Sequence, residues 1–339
     1  MHAAQIDEKG VLGYKNVPVP EPMAGEVRIS TYAGGICGTD IAIVNRTLPT
    51  PRPLILGHEI VGIVDKVGLG VNNSWIGKSV TTEINRFACG KCFFCLHEMP
   101  TQCIHRKAIG IDIDGGFAEH LITDASLLHE IPPRLGFLEA TFIEPLAAAI
   151  QTFKLMPIGD LDQTVAIFGP GKLGLLILQV LKALYPKKTA IMVGRSDYRR
   201  QFAEKFGANA VIDARVKNPV EEIRHLTEGR GADVVVEATG NPDVMNWAVQ
   251  ACRTRGKLAI KSTHGVPTPV NLTDVVVREI TIYSSRCGPF DEAISLLRDG
   301  KVDVGAMMTK MFPLSRVEEA FAFLANKGDY IKVGLKMAE

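Results

Sequence analysis

Apolar and polar positions follow two different rhythms along the chain, and the change falls near the middle of the sequence. In the central part, short apolar runs alternate with longer helical patterns, the order typical of a doubly wound parallel sheet. Strands are predicted at 164–168, 190–193, 210–212, 234–237, 258–261 and 280–284. Helical patterns lie between most of these strands, for example at 199–206 and 242–251. This alternation predicts one complete α/β sheet of the kind that binds dinucleotides.

The segment before this sheet has a different pattern. From residue 3 to residue 71, short strand patterns are separated by proline and glycine, as at 27–31 and 60–64. A further strand is predicted at 116–122, and a helix at 137–153 leads into the central part. The sequence therefore predicts a β-rich region followed by an α/β region.

The C-terminal tail, from Asp291, is predicted to contain two helices. The second opens with Ser315 and Glu318, which have the spacing of a capping box, and closes at Gly328. This spacing predicts a helix that begins next to residue 315.

A glycine-rich turn follows the first strand of the central sheet. Residues 169–174 read Gly-Pro-Gly-Lys-Leu-Gly, which is the G-x-G-x-x-G spacing. One glycine permits the tight turn, one lets a pyrophosphate approach, and one seats the helix on the strand, while backbone N–H groups hold the phosphate. The alternative is an ordinary turn between strand and helix. The predicted dinucleotide-binding residues are Gly169, Gly171, Lys172, Leu173, Gly174 and Thr239.

The end of the second strand predicts the choice of cofactor. About 20 residues beyond the turn, where an acidic residue would bind the ribose 2′-OH of NAD, the sequence has Gly194, Arg195 and Ser196, followed by Arg199. A guanidinium can pair with a 2′-phosphate, and no carboxylate is present to repel it. We therefore expect these four residues to bind NADP in preference to NAD, although NAD remains possible. The alternative is that the arginines are solvated at the start of a surface helix.

Composition narrows the classes of partner. The chain has 339 residues, 46% of them hydrophobic, which is enough for about two domains with cores of their own. With 38 basic and 37 acidic residues, it carries no overall field for nucleic acid or an anionic membrane. The N-terminus lacks a signal-peptide pattern, and the longest apolar segment is interrupted by Gln179 and Lys182. We expect a cytoplasmic protein that acts on a small molecule, with no nucleic-acid or membrane partner.

Four of the seven cysteines crowd into fifteen residues. They are Cys89, Cys92, Cys95 and Cys103. Thiolates at this spacing suit the closed tetrahedral coordination of a structural zinc ion. An iron–sulfur cluster or four unrelated reduced thiols are the alternatives.

A second possible metal site is spread more widely. Cys37 opens the sequence Cys-Gly-Thr-Asp, His58 and Glu59 follow a glycine, and Glu144 comes shortly before the central sheet. Thiolate, imidazole and carboxylate form the mixed set that holds a catalytic zinc and leaves one coordination position open. Spacing alone also fits a structural histidine and a small buried cysteine.

The chain resembles the zinc-dependent medium-chain alcohol dehydrogenase family in the order of its motifs. These are Cys-Gly-Thr-Asp, Gly-His-Glu, the four-cysteine loop and the G-x-G-x-x-G sheet. The resemblance covers essentially the whole chain and implies an α/β protein. A β-rich, GroES-like catalytic domain would comprise 1–147 with 286–339, and a doubly wound Rossmann domain would comprise 148–285. The resemblance also implies a homodimer or homotetramer.

The same resemblance assigns roles to the candidate ligands. It implies that the four-cysteine loop holds a structural zinc and that Cys37 and His58 bind a catalytic zinc, with Glu59 and Glu144 as the acidic candidates. Many members of the family have a histidine three residues after the threonine of the first motif. Here that residue is Ala42.

The predicted function is reversible oxidation of an alcohol, such as a polyol or a sugar, to a ketone or aldehyde by hydride transfer to NAD(P). Zinc would supply the Lewis acid, and the Thr39 hydroxyl would begin a proton relay because it lies two residues beyond Cys37. The alternatives are a zinc-free C=C or quinone reductase of the same superfamily and a non-catalytic nucleotide-binding protein. The ligand set that includes Cys37 and His58 argues against both.

Overall fold

A computed structural model describes residues 1–326 and 328–337, and the chain divides into two compact units. The first unit takes its residues from Met1–Glu144, Val304–Gly328 and Lys332–Glu339, and the second from Pro145–Asp303 and Asp329–Ile331. The sequence analysis grouped 286–303 with the catalytic domain, whereas the structure places this segment in the second unit.

The N-terminal part of the chain contains short strands and three short helices. The strands are β1 (His2–Ile6), β2 (Leu12–Asn16), β3 (Glu26–Gly35), β4 (Leu54–Ile55), β5 (Glu59–Val67), β6 (Ser79–Thr82), β7 (Asn85–Arg86), β8 (Lys107–Ala108), β9 (His120–Asp124) and β10 (Leu128–Glu130). The helices are α1 (Gly38–Val44), α2 (Phe93–Leu96) and α3 (Phe137–Ala140).

The central part alternates between strand and helix. Its strands are β11 (Thr164–Phe168), β12 (Thr189–Gly194), β13 (Ala210–Asp213), β14 (Ala232–Glu237), β15 (Cys252–Ile260) and β16 (Thr281–Ser284). Its helices are α4 (Ile143–Leu155), α5 (Lys172–Leu184), α6 (Asp197–Lys205), α7 (Pro219–Leu226), α8 (Met245–Ala251), α9 (Leu272–Val277) and α10 (Phe290–Arg298). The tail contains β17 (Met308–Pro313), α11 (Val317–Ala325) and β18 (Lys332–Lys336).

In the first unit, the largest sheet has the order β10-β6-β5-β3-β18-β17, and β9 also pairs with β3. A smaller sheet joins β2, β1 and β4. Apolar residues from β3, β5, β6 and β10 form a core, because alternate positions of these strands point to the same face. The short β7–β8 pair lies at the two ends of the four-cysteine loop and closes its base.

In the second unit, six parallel strands have the order β13-β12-β11-β14-β15-β16. This is the strand order of a dinucleotide-binding sheet, and it confirms the predicted α/β fold class. The predicted strands are all present. β15 begins earlier than expected, at Cys252, because it continues through a polar stretch that carries no apolar signal.

Helix α10 belongs to the second unit because its apolar face is buried. Phe290, Ala293, Ile294 and Leu297 lie inside, and Glu292 pairs with Lys154 of α4. Gly288, just before the helix, lies so close to the backbone of Ala147 that a side chain would not fit there. These contacts account for the assignment of the first part of the tail.

The capping-box prediction in the tail was wrong. A 3₁₀ turn at Leu314–Arg316 precedes α11, so Ser315 lies inside that turn and Arg316 occupies the capping position. The helix also ends at Ala325, before Gly328. The predicted helix at 137–153 is divided into α3 and α4. In the part of the chain that the structure describes, no helix has the length and apolar character needed to cross a bilayer.

Candidate functional site

The four-cysteine loop brings its thiols together in the first unit. Cys92 directly precedes α2, and the Sγ atom of Cys92 lies 3.6 Å from that of Cys95 and 3.8 Å from that of Cys103. The Sγ atoms of Cys103 and Cys89 are 3.6 Å apart. All four ligand atoms lie within 4.8 Å of one another.

These separations fit a zinc ion. With Zn–S bonds of about 2.3 Å, the sulfur atoms of a regular tetrahedron are about 3.8 Å apart. The backbone N–H groups of Cys89 and His105 donate to the sulfur of Cys103, and they lower the pKa of that thiol to about 6. Desolvation raises the pKa of Cys95 to about 12, so a bound cation is what would hold this residue as a thiolate.

A buried carboxylate organises the second candidate metal site. Asp40 lies in the first turn of α1, and its Oδ2 atom accepts a hydrogen bond of 2.7 Å from the backbone N–H of Cys37. Its Oδ1 atom lies 3.6 Å from Nδ1 of His58. Asp40 therefore holds the backbone of Cys37 by a hydrogen bond and places a carboxylate beside the ring of His58, an arrangement that the sequence analysis missed.

Three predicted ligand residues meet beside Asp40. Ligand atoms of Cys37, His58 and Glu59 all lie within 4.8 Å of one another. Burial alone would lower the pKa of His58, but the Asp40 carboxylate outweighs burial and raises this pKa well above its ordinary value. Because a zinc ligand must be a neutral imidazole, a zinc ion bound here would displace a proton from His58. The donor set and its spacing fit a zinc ion.

Glu59 has a cationic partner from the far end of the chain. The ammonium group of Lys332, in β18, donates to Oε2 of Glu59, and both side chains are fully buried. The same ammonium lies 5.0 Å from the centre of the Phe142 ring. Gly35 of β3 leaves the room for this pair, because a Cβ atom there would collide with both charged groups. The sequence analysis missed Lys332, since no local pattern connects it with residue 59.

The remaining predicted catalytic residues lie in the same unit. The hydroxyl oxygen of Thr39 is 3.8 Å from Sγ of Cys37. Glu144 lies in the first turn of α4 and is half-buried. Its carboxylate is not part of the cluster formed by Cys37, His58 and Glu59 in the described residues. Ala42 lies buried in α1.

Seven of the ten predicted dinucleotide-binding residues line a cavity in the second unit, and Lys172, Leu173 and Gly174 do not. Its volume is about 260 Å³, and it lies at the carboxyl ends of β11, β12 and β14. The lining residues are Phe168, Gly169, Pro170, Gly171, Val193, Gly194, Arg195, Ser196, Arg199, Ala214, Ala238, Thr239, Asn241, Val244 and Trp247. Ligands of such sheets bind at this edge, so its position fits a dinucleotide.

The glycines of the turn have separate tasks. Gly169 has a φ of 101°, and a Cβ atom there would lie 2.7 Å from the carbonyl oxygen of Ala238. A Cβ atom at Gly171 would meet nothing within 4 Å, which leaves open space where a phosphate could approach. Gly174 seats α5, because a Cβ atom there would collide with the carbonyl of Gly169. Lys172 and Leu173 form the first turn of α5 and do not line the cavity.

The arginines near β12 fall into two groups. Arg195 and Arg199 line the cavity, and Arg199 donates to the carbonyl oxygen of Tyr330 at 3.0 Å. Arg200, in contrast, pairs with Asp197 and with Asp213, which ends the neighbouring strand β13. The Ser196 hydroxyl accepts from the backbone N–H of Arg199 at 3.3 Å and so caps α6.

An acidic residue beside the end of β12, Asp213, is paired with arginines. Asp213 lies beside Gly194 in the sheet, and hydrogen bonds from Arg215 hold the pKa of its carboxyl well below the usual value. Asp213 does not line the cavity. The cavity therefore has cationic rather than anionic side chains at the end of β12.

Comparisons with known proteins agree with this arrangement. Residues 23–133 match the family model described as the alcohol dehydrogenase GroES-like domain. Residues 173–299 match the model described as zinc-binding dehydrogenase. A D-arabitol-phosphate dehydrogenase from Enterococcus avium is 30% identical over 327 residues, which cover 95% of this chain and 93% of the relative.

Two solved structures are similar over nearly the whole chain. One is RspB from Escherichia coli CFT073, described as a short chain alcohol dehydrogenase complexed with NADH, with 28% identity and a TM-score of 0.90. The other is a zinc-binding dehydrogenase from Sinorhizobium meliloti 1021 bound to NADP, with 29% identity and a TM-score of 0.90. In both comparisons the match covers 99% of this chain and 99% of the other.

Proposed function

The chain belongs to the zinc-dependent medium-chain alcohol dehydrogenase family and is an NAD(P)-dependent oxidoreductase. From this premise we propose that it oxidises a polyol or sugar alcohol reversibly to a ketone or aldehyde, with NADP as the preferred cofactor. The observation that carries the proposal is the cluster of Cys37, His58 and Glu59 ligand atoms within 4.8 Å. A zinc-free reductase would have no use for such a cluster.

We assign Cys37 and His58 to a catalytic zinc, with Glu59 and Glu144 as the acidic candidates. Glu59 is favoured because its carboxylate lies within 4.8 Å of the ligand atoms of Cys37 and His58. The buried ammonium of Lys332 supplies the positive charge that a buried carboxylate needs. Glu144 remains the candidate for a ligand that approaches from α4. Cys89, Cys92, Cys95 and Cys103 would hold a second, structural zinc.

When bound, zinc supplies a Lewis acid that eases removal of the alcohol proton, and nicotinamide supplies the hydride acceptor. The protein contributes orientation and proton transfer. Asp40 holds the backbone of Cys37 and places its carboxylate beside the ring of His58, and Thr39, beside Cys37, is the first hydroxyl that can accept the released proton. Because Ala42 cannot carry the proton further, we propose that solvent receives it from Thr39.

The preference for NADP rests on the charges around the cavity. Arg195 and Arg199 line the cavity at the end of β12, whereas Arg200 is engaged by Asp197 and Asp213. A 2′-phosphate would thus meet two guanidinium groups that, within the described part of the chain, form no salt bridge with an acidic side chain. We expect Arg195→Ala to weaken NADP binding and leave NAD binding nearly unchanged.

The polyol assignment is supported by the similarity to a D-arabitol-phosphate dehydrogenase. It is tested with a panel of polyols, sugars and simple alcohols, each assayed with NAD and with NADP at saturating zinc. The proposal predicts the highest kcat/KM for a polyol or sugar with NADP. A protein that turns over only simple alcohols, or only C=C and quinone substrates, would contradict it.

We further propose that the protein is a cytoplasmic homodimer. β16 is an edge strand of the sheet, and its residue Ile282 is 41% exposed. Val276 and Val277 in α9 are exposed to a larger extent. An exposed apolar edge strand favours pairing with a second copy. A cytoplasmic location is consistent with thiolate ligands, which require reducing conditions.

A further inference from the structure

Position 194 has no room for a side chain. It ends β12, about 20 residues beyond the glycine turn, where an NAD-binding sheet has its acidic residue. A Cβ atom on Gly194 would lie 2.6 Å from Cδ of Pro170 and closer still to Cγ. Non-bonded carbon atoms do not approach this closely, so any side chain at position 194 collides with the proline ring.

The proline ring cannot move away, because the turn that carries it is fixed on two sides. The backbone N–H of Gly169 donates to the carbonyl oxygen of Val193 at 2.9 Å, which ties the turn to β12. On the other side, Gly169 packs against the carbonyl of Ala238 after β14. The ring is also bonded to its own backbone nitrogen, which removes the rotamer freedom that a longer side chain would have.

We infer that Pro170 is a specificity-determining residue, because its ring excludes the carboxylate that would select NAD from position 194. The inference rests on the proposed preference for NADP and gives it a structural cause. Pro170 and Gly194 line the same cavity as Arg195 and Arg199. Because residue 194 has no side chain, these two arginines determine the charge next to the cofactor ribose.

The test compares Gly194→Asp, Gly194→Ala and Pro170→Ala with the double variant P170A/G194D. Trp247 lines the cavity and reports cofactor binding by fluorescence, and a Trp75→Phe background removes the other tryptophan signal. For each protein, the Kd for NAD and for NADP is measured by titration, and the Tm is measured without cofactor. Gly194→Ala separates the collision from the effect of charge.

With Pro170 in place, both substitutions at position 194 should lower the Tm by more than about 3 °C and weaken both cofactors at least about tenfold. In P170A/G194D the Tm should return close to that of Pro170→Ala. The ratio of NAD to NADP affinity should shift toward NAD by at least about tenfold relative to the parent. If Gly194→Asp alone has the same Tm and the same NAD affinity as the double variant, Pro170 does not exclude the side chain.

The outcome also separates this inference from the proposed function. A parent that binds NAD and NADP equally would refute the NADP preference, whereas the Tm values would still show whether residues 170 and 194 are coupled. A parent that prefers NADP, combined with independent effects of the two substitutions, would refute only the role of Pro170.

Discussion

Replacing Lys332 with methionine tests the account of the catalytic cluster most severely. Methionine fills nearly the same space but leaves the Glu59 carboxylate buried without its cation. Because neither side chain of the pair is exposed to solvent, the interaction is not screened by water. Removing one partner of such a pair costs roughly 3–5 kcal/mol of unfolding free energy. For a unit of this size, that loss corresponds to a Tm lower by roughly 6–20 °C.

The assay is thermal and urea-induced unfolding in a Cys37→Ser background, in which no zinc ion beside Glu59 supplies the missing charge, with a double-mutant cycle as the control. The variant E59Q/K332M removes both charges and should recover most of the lost stability, since a neutral pair needs no compensation. Lys332→Arg keeps the charge and should lose less than Lys332→Met. If Lys332→Met costs less than about 1 kcal/mol, the pair does not stabilise the cluster, and the reasoning fails.

Three further predictions concern the metals, the proton and the assembly. Elemental analysis should find two zinc ions per chain, one lost in Cys92→Ser and the other in Cys37→Ser; a protein that keeps the same zinc content in Cys37→Ser has no zinc at that site. Thr39→Val should lower turnover about a hundredfold, within the range for acid–base assistance, and a loss below about twofold with chemistry rate-limiting would exclude Thr39 from proton transfer. Ile282→Lys should yield a monomer of unchanged Tm in light scattering, because a charge blocks pairing of the edge strand β16; an unchanged dimer would place the interface elsewhere.

The central sheet could be predicted because its strands are buried on both faces and therefore appear as short apolar runs. The run at Thr164–Phe168 coincides with β11. β15 was located only in its last three residues, because the residues before them include Arg253, Arg255 and Lys257. The helix at the end of the chain was misplaced because a capping pattern also fits the 3₁₀ turn that precedes it.

The candidate ligands could be predicted from type and spacing, but their supporting residues could not. Asp40 follows Cys37 at capping distance and was within reach of the sequence analysis. Lys332 lies 273 residues from Glu59, and only the antiparallel pairing of β18 with β3 brings it to the site. The collision between Pro170 and a side chain at position 194 also could not be predicted. It depends on the relative positions of the ends of two neighbouring strands, which the sequence pattern does not specify.

The most direct test of the proposed function measures the transfer of deuterium from the substrate to the cofactor. The zinc-loaded protein is incubated with NADP and polyols that carry deuterium on the carbinol carbons, and the reduced cofactor is isolated for mass spectrometry. The account predicts one deuterium in each NADPH formed, and no transfer by Cys37→Ser protein that still binds NADP. If protein that contains two zinc ions and binds NADP transfers no deuterium from any polyol or sugar alcohol, the proposed reaction is wrong.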